Sequence, residues 1–527
     1  MKILAIPFIV ALSLAGCSTI PETSSDLGRG LAQSKNRNIN PHPNYLLCRG
    51  DDTTELEAVL KSALNAKGIL LYFHGGLSGD SYMREDLGPD IMASLFTEKN
   101  LNGLHPVFIN YEVSPFQSEN LLNILKNSAF AKLKSIVKQR LNEESNKNQS
   151  NVTKFSENRS AEQSAALSIL IYQGLDKGIE FSNSVRSEED YEVFLTKVLT
   201  DEETLKEVAE NIIQDSALRA STNQFEILAS QQNTEDLQPL LNKGSLTLSG
   251  AKAIARTLAR FALTLNHEIV PTITEEVLRE LSLLGVIGVE DALQTHWRTV
   301  KRHSEECWGP KTNGNALINA LLEKKKKDSH FTISVMSHSA GSLVIGKLLE
   351  SISQFDRVNR EHAIDNAVLV VPAISAEWFQ QTFMRHESII KKLRVYPLTD
   401  EYEKNDFLIP YLYPASLLYG VSGIGEPKGF GDKPLMIQRH LGMKRYPYRT
   451  WLYRKVFEDI RDIWAYVESN PEIFKYYPFD ESQNEGATHR LTKLPWCSKT
   501  LAKQTMSVLT GLSENQIEVV DRKTKCD

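Results

Sequence analysis

A short run of small and polar residues, Ser337-His338-Ser339-Ala340-Gly341, is the strongest candidate for a site of chemistry in this sequence. An apolar strand pattern over residues 331–336 precedes it, and apolar residues recur every four positions from Val344 onward. A serine at a tight strand-to-helix turn exposes its hydroxyl as a nucleophile, and the helix start directs backbone N–H groups towards developing negative charge. The turn requires small neighbours, and the two residues after the serine are small. We therefore predict that Ser339 is a nucleophile and that the adjacent His338 is structural.

A second run, His74-Gly75-Gly76, follows the apolar residues 68–73 and suits the stabilisation of negative charge. Acyl transfer needs two N–H donors close to the carbonyl oxygen that becomes an oxyanion, and residues without side chains let the backbone approach. We predict that the N–H of Ala340 is one donor and that Gly75 or Gly76 supplies the other.

Together the two runs resemble the nucleophile elbow and the oxyanion loop of the α/β-hydrolase superfamily, in an uncharacterised lipase/esterase-like bacterial branch. The resemblance covers the sheet-forming parts of the chain and extends to residues 368–373, 400–406, 416–419 and 488–489. It implies an acyl-serine intermediate and requires neither a cofactor nor a metal. The sequence departs from the branch at two places. Ser337 replaces the usual first glycine of the elbow, and Arg490-Leu491 stand where the branch often has glycines.

The chain order of this fold, which is serine, then acid, then histidine, places the partners of Ser339 later in the sequence. Asp400, which directly follows a strand pattern, is the predicted acid, and Asp406 is the alternative. His489, in a polar loop before the last helical pattern, is the predicted base, and His440 is the alternative. The base would take the proton of the serine and then protonate the leaving group, while the acid would orient the ring.

The elements that must position these residues are strand patterns separated by helix patterns, which predict an α/β fold with a mainly parallel sheet flanked by helices. Strands are expected near residues 44–48, 68–73, 106–111, 331–336, 366–371 and 392–398. The predicted α/β-hydrolase core therefore comprises residues 43–113 and 328–527.

A long stretch, residues 114–327, separates the two parts of this core and carries helix patterns without a convincing strand. A parallel crossover needs little more than about a dozen residues, so we predict that this stretch is an inserted helical domain. Its position before the nucleophile strand lets it lie over the strand ends as a cap. Residues 142–164 are polar and of low complexity and are predicted to form a loop within it.

The first residues have the pattern of a secretion signal, with a positive start at Lys2 and an apolar run over residues 3–14. The run ends in Leu14-Ala15-Gly16-Cys17 and resembles a bacterial lipobox, which implies a signal peptide over residues 1–17 and acylation of Cys17. Ser18 after the cysteine resembles the sorting signal of lipoproteins that are sent to the outer membrane. Residues 18–42 are predicted to form a flexible tether. We therefore expect a lipid-anchored protein of the bacterial cell envelope.

Composition and motif content bear on which classes of partner the protein binds. The 527-residue chain has a formal net charge of -6 and a pI of about 6.1, so no basic field favours nucleic acid. No later run of about 20 apolar residues exists to cross a membrane, and no metal-binding motif is present. Four cysteines outside the signal allow two disulfides with three connectivities: Cys48, Cys307, Cys497 and Cys526.

Two classes of function fit these features. The first is a serine hydrolase, esterase- or lipase-like, that acts on an ester or lipid-like small molecule and is held at the membrane by its lipid. The second is a non-catalytic envelope lipoprotein that uses a hydrolase scaffold and its helical insert to bind a partner protein. In the second case Ser339→Ala would leave the function unchanged.

Overall fold

The structure is a computed structural model that describes a sheet, its flanking helices and part of the predicted insert. The described residues are 42–51, 53–76, 83–84, 88–112, 197–199, 201–214, 243–262, 271–272, 275–276, 279–280, 289–356, 360–398, 403, 416–426, 458–475 and 498–519.

Six strands form one sheet. They are β1 (Tyr45–Leu47), β2 (Gly68–Phe73), β3 (Leu104–Asn110), β4 (Thr332–His338), β5 (Ile364–Val370) and β6 (Ile390–Tyr396). Their order is β1-β3-β2-β4-β5-β6, and every neighbouring pair is parallel. The predicted fold class, a parallel α/β sheet flanked by helices, is confirmed, and all six predicted strands overlap observed ones.

The helices follow the same chain order. They are α1 (Thr53–Ala63), α2 (Gly88–Ser94), α3 (Glu98–Leu101), α4 (Glu202–Gln214), α5 (Lys243–Ala262), α6 (Val289–Glu306), α7 (Asn313–Lys327), α8 (Gly341–Ile352), α9 (Ala376–Phe379), α10 (Leu417–Gly420), α11 (Glu458–Ser469) and α12 (Lys499–Thr510). Two π-helical turns, Gln380–Met384 and Val421–Gly425, directly continue α9 and α10. Among the described residues, none of these helices is both long and apolar enough to span a membrane.

The sheet is buried on both faces, as β2 shows most clearly. All six of its residues are buried, which agrees with a continuous apolar run in a central parallel strand. Side chains alternate between faces along a strand. Ile69 and Phe73 accordingly join a core with α7 and α8, whereas Leu70 and Tyr72 join a second core with α3 and α12.

The described part of the predicted insert contains helices α4 to α7 and no strand. Helix α7 packs its apolar side, including Leu317 and Leu321, into the core of the sheet and leads into β4. Helix α5 instead packs against α4. Its buried Arg260 pairs with Glu275 at 2.6 Å and with Glu276 at 2.8 Å, and buried charges are tolerated when they are paired in this way. The domain boundaries stay a prediction, because the residues between these helices lie largely outside the described ranges.

One disulfide joins Cys48, directly after β1, to Cys307, directly after α6, with 5.0 Å between their Cα atoms. Of the three connectivities that four cysteines allow, this bond is compatible with one, in which Cys497 pairs with Cys526. Both of these residues lie outside the described ranges. The observed bond therefore fixes the end of an insert helix to the edge of the sheet.

Candidate active site

Ser339 lies at a sharp turn between β4 and α8 and is half-buried. Its φ angle is +50°, which is a strained conformation for a residue other than glycine and is typical of a nucleophile at such a turn. Its N–H donates to the carbonyl of Val370 at 3.0 Å, and its carbonyl accepts from the N–H of Ala373 at 3.1 Å. Val370 is the last residue of β5 and Ala373 follows shortly after it, so the end of the neighbouring strand holds the turn in place.

The turn approaches the end of β2 so closely that a side chain at Gly341 has no room. A Cβ atom on this residue would lie 2.4 Å from the carbonyl oxygen of Phe73 and 2.7 Å from that of His74. Both are backbone atoms, which cannot rotate away. The requirement for a glycine at this position therefore comes from contact between the elbow and the junction of β2 with the predicted oxyanion loop.

Ser337, the departure from the usual glycine, has a partner in the structure. Its side chain is fully buried, and its hydroxyl lies 2.9 Å from the hydroxyl of Ser342, which is also fully buried. A buried hydroxyl with a partner is tolerated, whereas a buried hydroxyl without one is costly. The bond connects the last residues of the strand β4 with the first turn of the helix α8, and Ser339 lies between the two.

The predicted oxyanion loop lies directly against the elbow. A Cβ atom on Gly75 would lie 3.1 Å from Nδ1 of His338 and 3.5 Å from Cβ of Ser339. A Cβ atom on Gly76 would lie 3.0 Å from Cβ of Ala340. The structure thus brings both glycines and Ala340 to the nucleophile turn, as the predicted roles require, and these roles stay predictions about chemistry.

The buried side chain of His74 supports the loop by contacts with its backbone. Its ring is fully buried and stacks on Tyr111, with 4.5 Å between the ring centroids. Nδ1 lies 2.8 Å from the carbonyl oxygen of Gly75, and the Tyr111 hydroxyl donates to the carbonyl of His74 at 2.9 Å. Burial lowers the pKa of His74 to about 4, so the ring is neutral at neutral pH. A neutral ring in this place is a structural support and does not accept the proton of Ser339.

A second buried histidine reaches the loop from the insert. His296 on α6 is hydrogen-bonded to the backbone of Gly76, and burial lowers its pKa to about 4. One turn further along α6, Cγ2 of Val300 lies 3.8 Å from the position of a Cβ atom on Gly76. The sequence analysis did not single out these residues. Their spacing of four places them on one side of a helix, but nothing in the sequence indicated what that side contacts.

Several predicted site residues lie outside the described ranges, and the structure does not place them: Cys17, Asp400, Asp406, His440 and His489. Between the two acid candidates, Glu403 is described and is 3% exposed. Its carbonyl accepts from the N–H of Ser416 at 2.9 Å, which joins the segment after β6 to the start of α10. A buried carboxyl group in this segment makes Glu403 a third candidate for the triad acid, which the sequence analysis did not choose.

No cluster of His, Cys, Asp and Glu side chains suited to a metal ion occurs among the residues that the structure describes. The arrangement instead offers a hydroxyl on a strained turn beside a glycine loop with backbone donors. Such an arrangement can add a nucleophile to a carbonyl and stabilise the oxyanion that forms.

The parallel sheet and its flanking helices form a fold of the α/β-hydrolase type. Residues 303–401 match the family described as "Alpha/beta hydrolase of unknown function (DUF900)". This segment runs from the end of α6 through β4, the Ser339 turn and β5 to the end of β6, and it makes up about a fifth of the chain. No curated protein and no solved structure gives a significant match to the chain.

Proposed function

We propose that this protein is a serine hydrolase that cleaves carboxylic esters through an acyl-enzyme formed on Ser339. The observation that carries the proposal is the strained turn at Ser339 in contact with the Gly75-Gly76 loop. A serine side chain is a weak nucleophile, so such a turn has chemical value only with a base and with donors for the oxyanion.

The proposed reaction has two steps of the same kind. His489 takes the proton of the Ser339 hydroxyl as the oxygen attacks the ester carbonyl, and the N–H groups of Ala340 and of Gly75 or Gly76 stabilise the oxyanion. The protonated histidine then donates its proton to the leaving alcohol, which departs as the acyl-serine forms. Water attacks this acyl group with the same histidine as base and releases the carboxylic acid. Asp400 orients the histidine ring and stabilises its charged form.

The test of this proposal is hydrolysis of p-nitrophenyl esters with acyl chains from acetate to palmitate. We expect Ser339→Ala to abolish turnover while the protein stays folded. Ser351→Ala, near the end of the helix α8 that follows the Ser339 turn and half-buried like Ser339, is the matched control and should retain full activity. If the folded wild type hydrolyses none of these esters, or if Ser339→Ala retains activity, the proposal is wrong. The protein is then better described as a scaffold that binds an envelope partner through its insert.

Variants of the two partner residues separate the candidates. His489→Ala should lower kcat by about 10³-fold or more, whereas His440→Ala should leave it within about twofold. Asp400→Asn should lower kcat by about 10³- to 10⁴-fold if this carboxylate orients the base. A loss of that size in Glu403→Gln, with Asp400→Asn active, would assign the acid to Glu403.

The lipid anchor is part of the same proposal. We infer that Cys17 is acylated and that the enzyme acts at the cell envelope on an ester or lipid-like substrate, because residues 1–17 resemble a lipoprotein signal. Radiolabelled palmitate should be incorporated into the wild type and not into Cys17→Ser. Labelling of Cys17→Ser would show that the anchor has been misassigned.

A further inference from the structure

Helix α6 of the insert lies over the oxyanion loop and contacts it at two positions. The ring of His296 is hydrogen-bonded to the backbone of Gly76, and Val300 packs beside the same residue. Residues four apart on a helix lie on one side, so these two contacts belong to one surface of α6. The loop is therefore enclosed between the nucleophile turn and a helix of the insert.

The hydrogen bond from His296 favours the protonated ring, which identifies its backbone partner as the Gly76 carbonyl. Burial acts in the opposite direction and dominates, so the ring is neutral and donates from a single N–H group. His74 contacts the neighbouring carbonyl, that of Gly75, at 2.8 Å. Two buried imidazole rings thus hold two successive carbonyl groups of the loop.

Fixing a carbonyl fixes the N–H group of the next residue, because a peptide unit is planar and its C=O and N–H point in opposite directions. The bond to the Gly75 carbonyl sets the direction of the Gly76 N–H. The bond to the Gly76 carbonyl then restricts rotation about the Gly76 backbone. Two successive glycines would otherwise move over a wide range of φ and ψ, and this freedom would weaken a preorganised oxyanion donor.

Helix α6 is itself firmly attached to the rest of the molecule. Trp297 donates from its ring nitrogen to Glu426 at 2.7 Å, and Lys301 pairs with the same carboxylate at 2.6 Å. Directly after its C-terminal end, the disulfide of Cys307 binds the helix to the edge of the sheet. A support that is fixed at its middle and at its C-terminal end can hold a backbone group within the narrow tolerance that catalysis requires.

We propose that His296 is a positioning residue that restricts the Gly76 backbone and so steadies the Gly76 N–H, whose direction the His74 bond sets, for oxyanion stabilisation. Helix α6 of the insert then supports the catalytic apparatus. This inference rests on the proposed function. It assigns the second oxyanion donor to the Gly76 N–H in preference to that of Gly75. It also gives the insert a role in catalysis that is exerted through the loop.

The test compares His296→Ala with His296→Gln in full-length protein, using a short-chain p-nitrophenyl ester. Removing one oxyanion donor costs about 10²- to 10³-fold in kcat, so losing its support should cost about 10- to 100-fold. We expect KM to stay within about twofold in His296→Ala, and we expect His296→Gln to recover at least about fivefold in kcat, since its amide can donate to the same carbonyl. His386→Ala is the control, because this histidine interacts electrostatically with Glu350 at the far end of α8, about 15 Å along the helix from Ser339. A normal kcat in His296→Ala would overturn the inference. The inference would also be overturned if kcat fell equally in both His296 variants and the fall matched their loss of thermal stability.

Hydrogen exchange supplies a readout that does not depend on turnover. Amide exchange in peptides that cover Gly75 and Gly76 should be faster in His296→Ala than in the wild type, and close to wild type in His296→Gln. Unchanged exchange in His296→Ala would overturn the positioning role, whatever the activity. A wild type with a protected loop and no reaction with any ester or activated-serine probe would instead refute the proposed function.

Discussion

Gly341→Ala is the perturbation with the most sharply defined structural consequence. A Cβ atom at this position would lie 2.4 Å from the Phe73 carbonyl oxygen, whereas real contacts of this kind are at least about 3.0 Å, so the backbone must move by about 0.6 Å or more. The movement separates the elbow from the end of β2, which carries the oxyanion loop. Misplacement by about 1 Å costs about 10²-fold in rate, and overpacking costs about 1–3 kcal/mol of stability. The higher helix propensity of alanine returns up to about 1 kcal/mol.

The assay is the rate of reaction with a fluorophosphonate probe, which labels activated serines, together with thermal unfolding. We expect Gly341→Ala to be labelled about 30- to 100-fold more slowly than the wild type while it remains folded. Gly511→Ala is the matched control. Gly511 has a φ of +74° and no atom within 4 Å of its Cβ position, so alanine should cost about 1 kcal/mol of stability without moving the site. Wild-type labelling rates in Gly341→Ala would refute the close approach of the elbow and the loop.

Three further predictions concern stability. Removing the disulfide with Cys48→Ala and Cys307→Ala should lower the free energy of unfolding by about 2–5 kcal/mol in urea titrations, and an unchanged midpoint would contradict the bond. The pKa values of His74 and His296 fall from 6.5 to about 4 on folding, so their contribution to stability is complete above pH 6.5 and is lost as the pH falls towards 4. Between pH 6.5 and 5 the free energy of unfolding should fall by about 3 kcal/mol in urea titrations, and the fall should be smaller when both histidines are replaced. Equal stability at the two pH values would count against neutral buried rings. Ser337→Ala should cost about 1–2 kcal/mol in thermal or urea unfolding, because it leaves the hydroxyl partner buried without its bond, and a stabilised variant would show that the bond is unimportant.

The sheet was largely predictable, because its signals are local. The run Gly68–Phe73 is apolar throughout and was predicted with its observed bounds, since a central parallel strand needs apolar residues on both faces. The ends of strands were less predictable. Strand β4 continues to His338, two residues beyond the apolar pattern, because the first polar residues of the elbow are still part of the strand. The order of the strands has no local signal at all and became known only from the structure.

The site was predictable only in part, because only some of its contacts have a local signal in the sequence. The Ser339 turn and the Gly75-Gly76 loop each have a local pattern, and the structure brings them together. His296 approaches Gly76 from far along the chain, and a histidine on an amphipathic helix is more often an ordinary buried residue than a functional one. The pairing of Cys48 with Cys307 was likewise one of several connectivities, because cysteine spacing does not determine which residues meet. Contacts between distant segments therefore account for most of what the sequence did not reveal.

The most direct test of the central claim is to treat the soluble chain without residues 1–17 with a fluorophosphonate probe and to locate the label by peptide mass spectrometry. The proposal predicts one labelled residue, Ser339, with labelling lost in Ser339→Ala and in His489→Ala. Folded wild-type protein that stays unlabelled, or that carries its label on another serine, would contradict the assignment of Ser339 as an activated nucleophile.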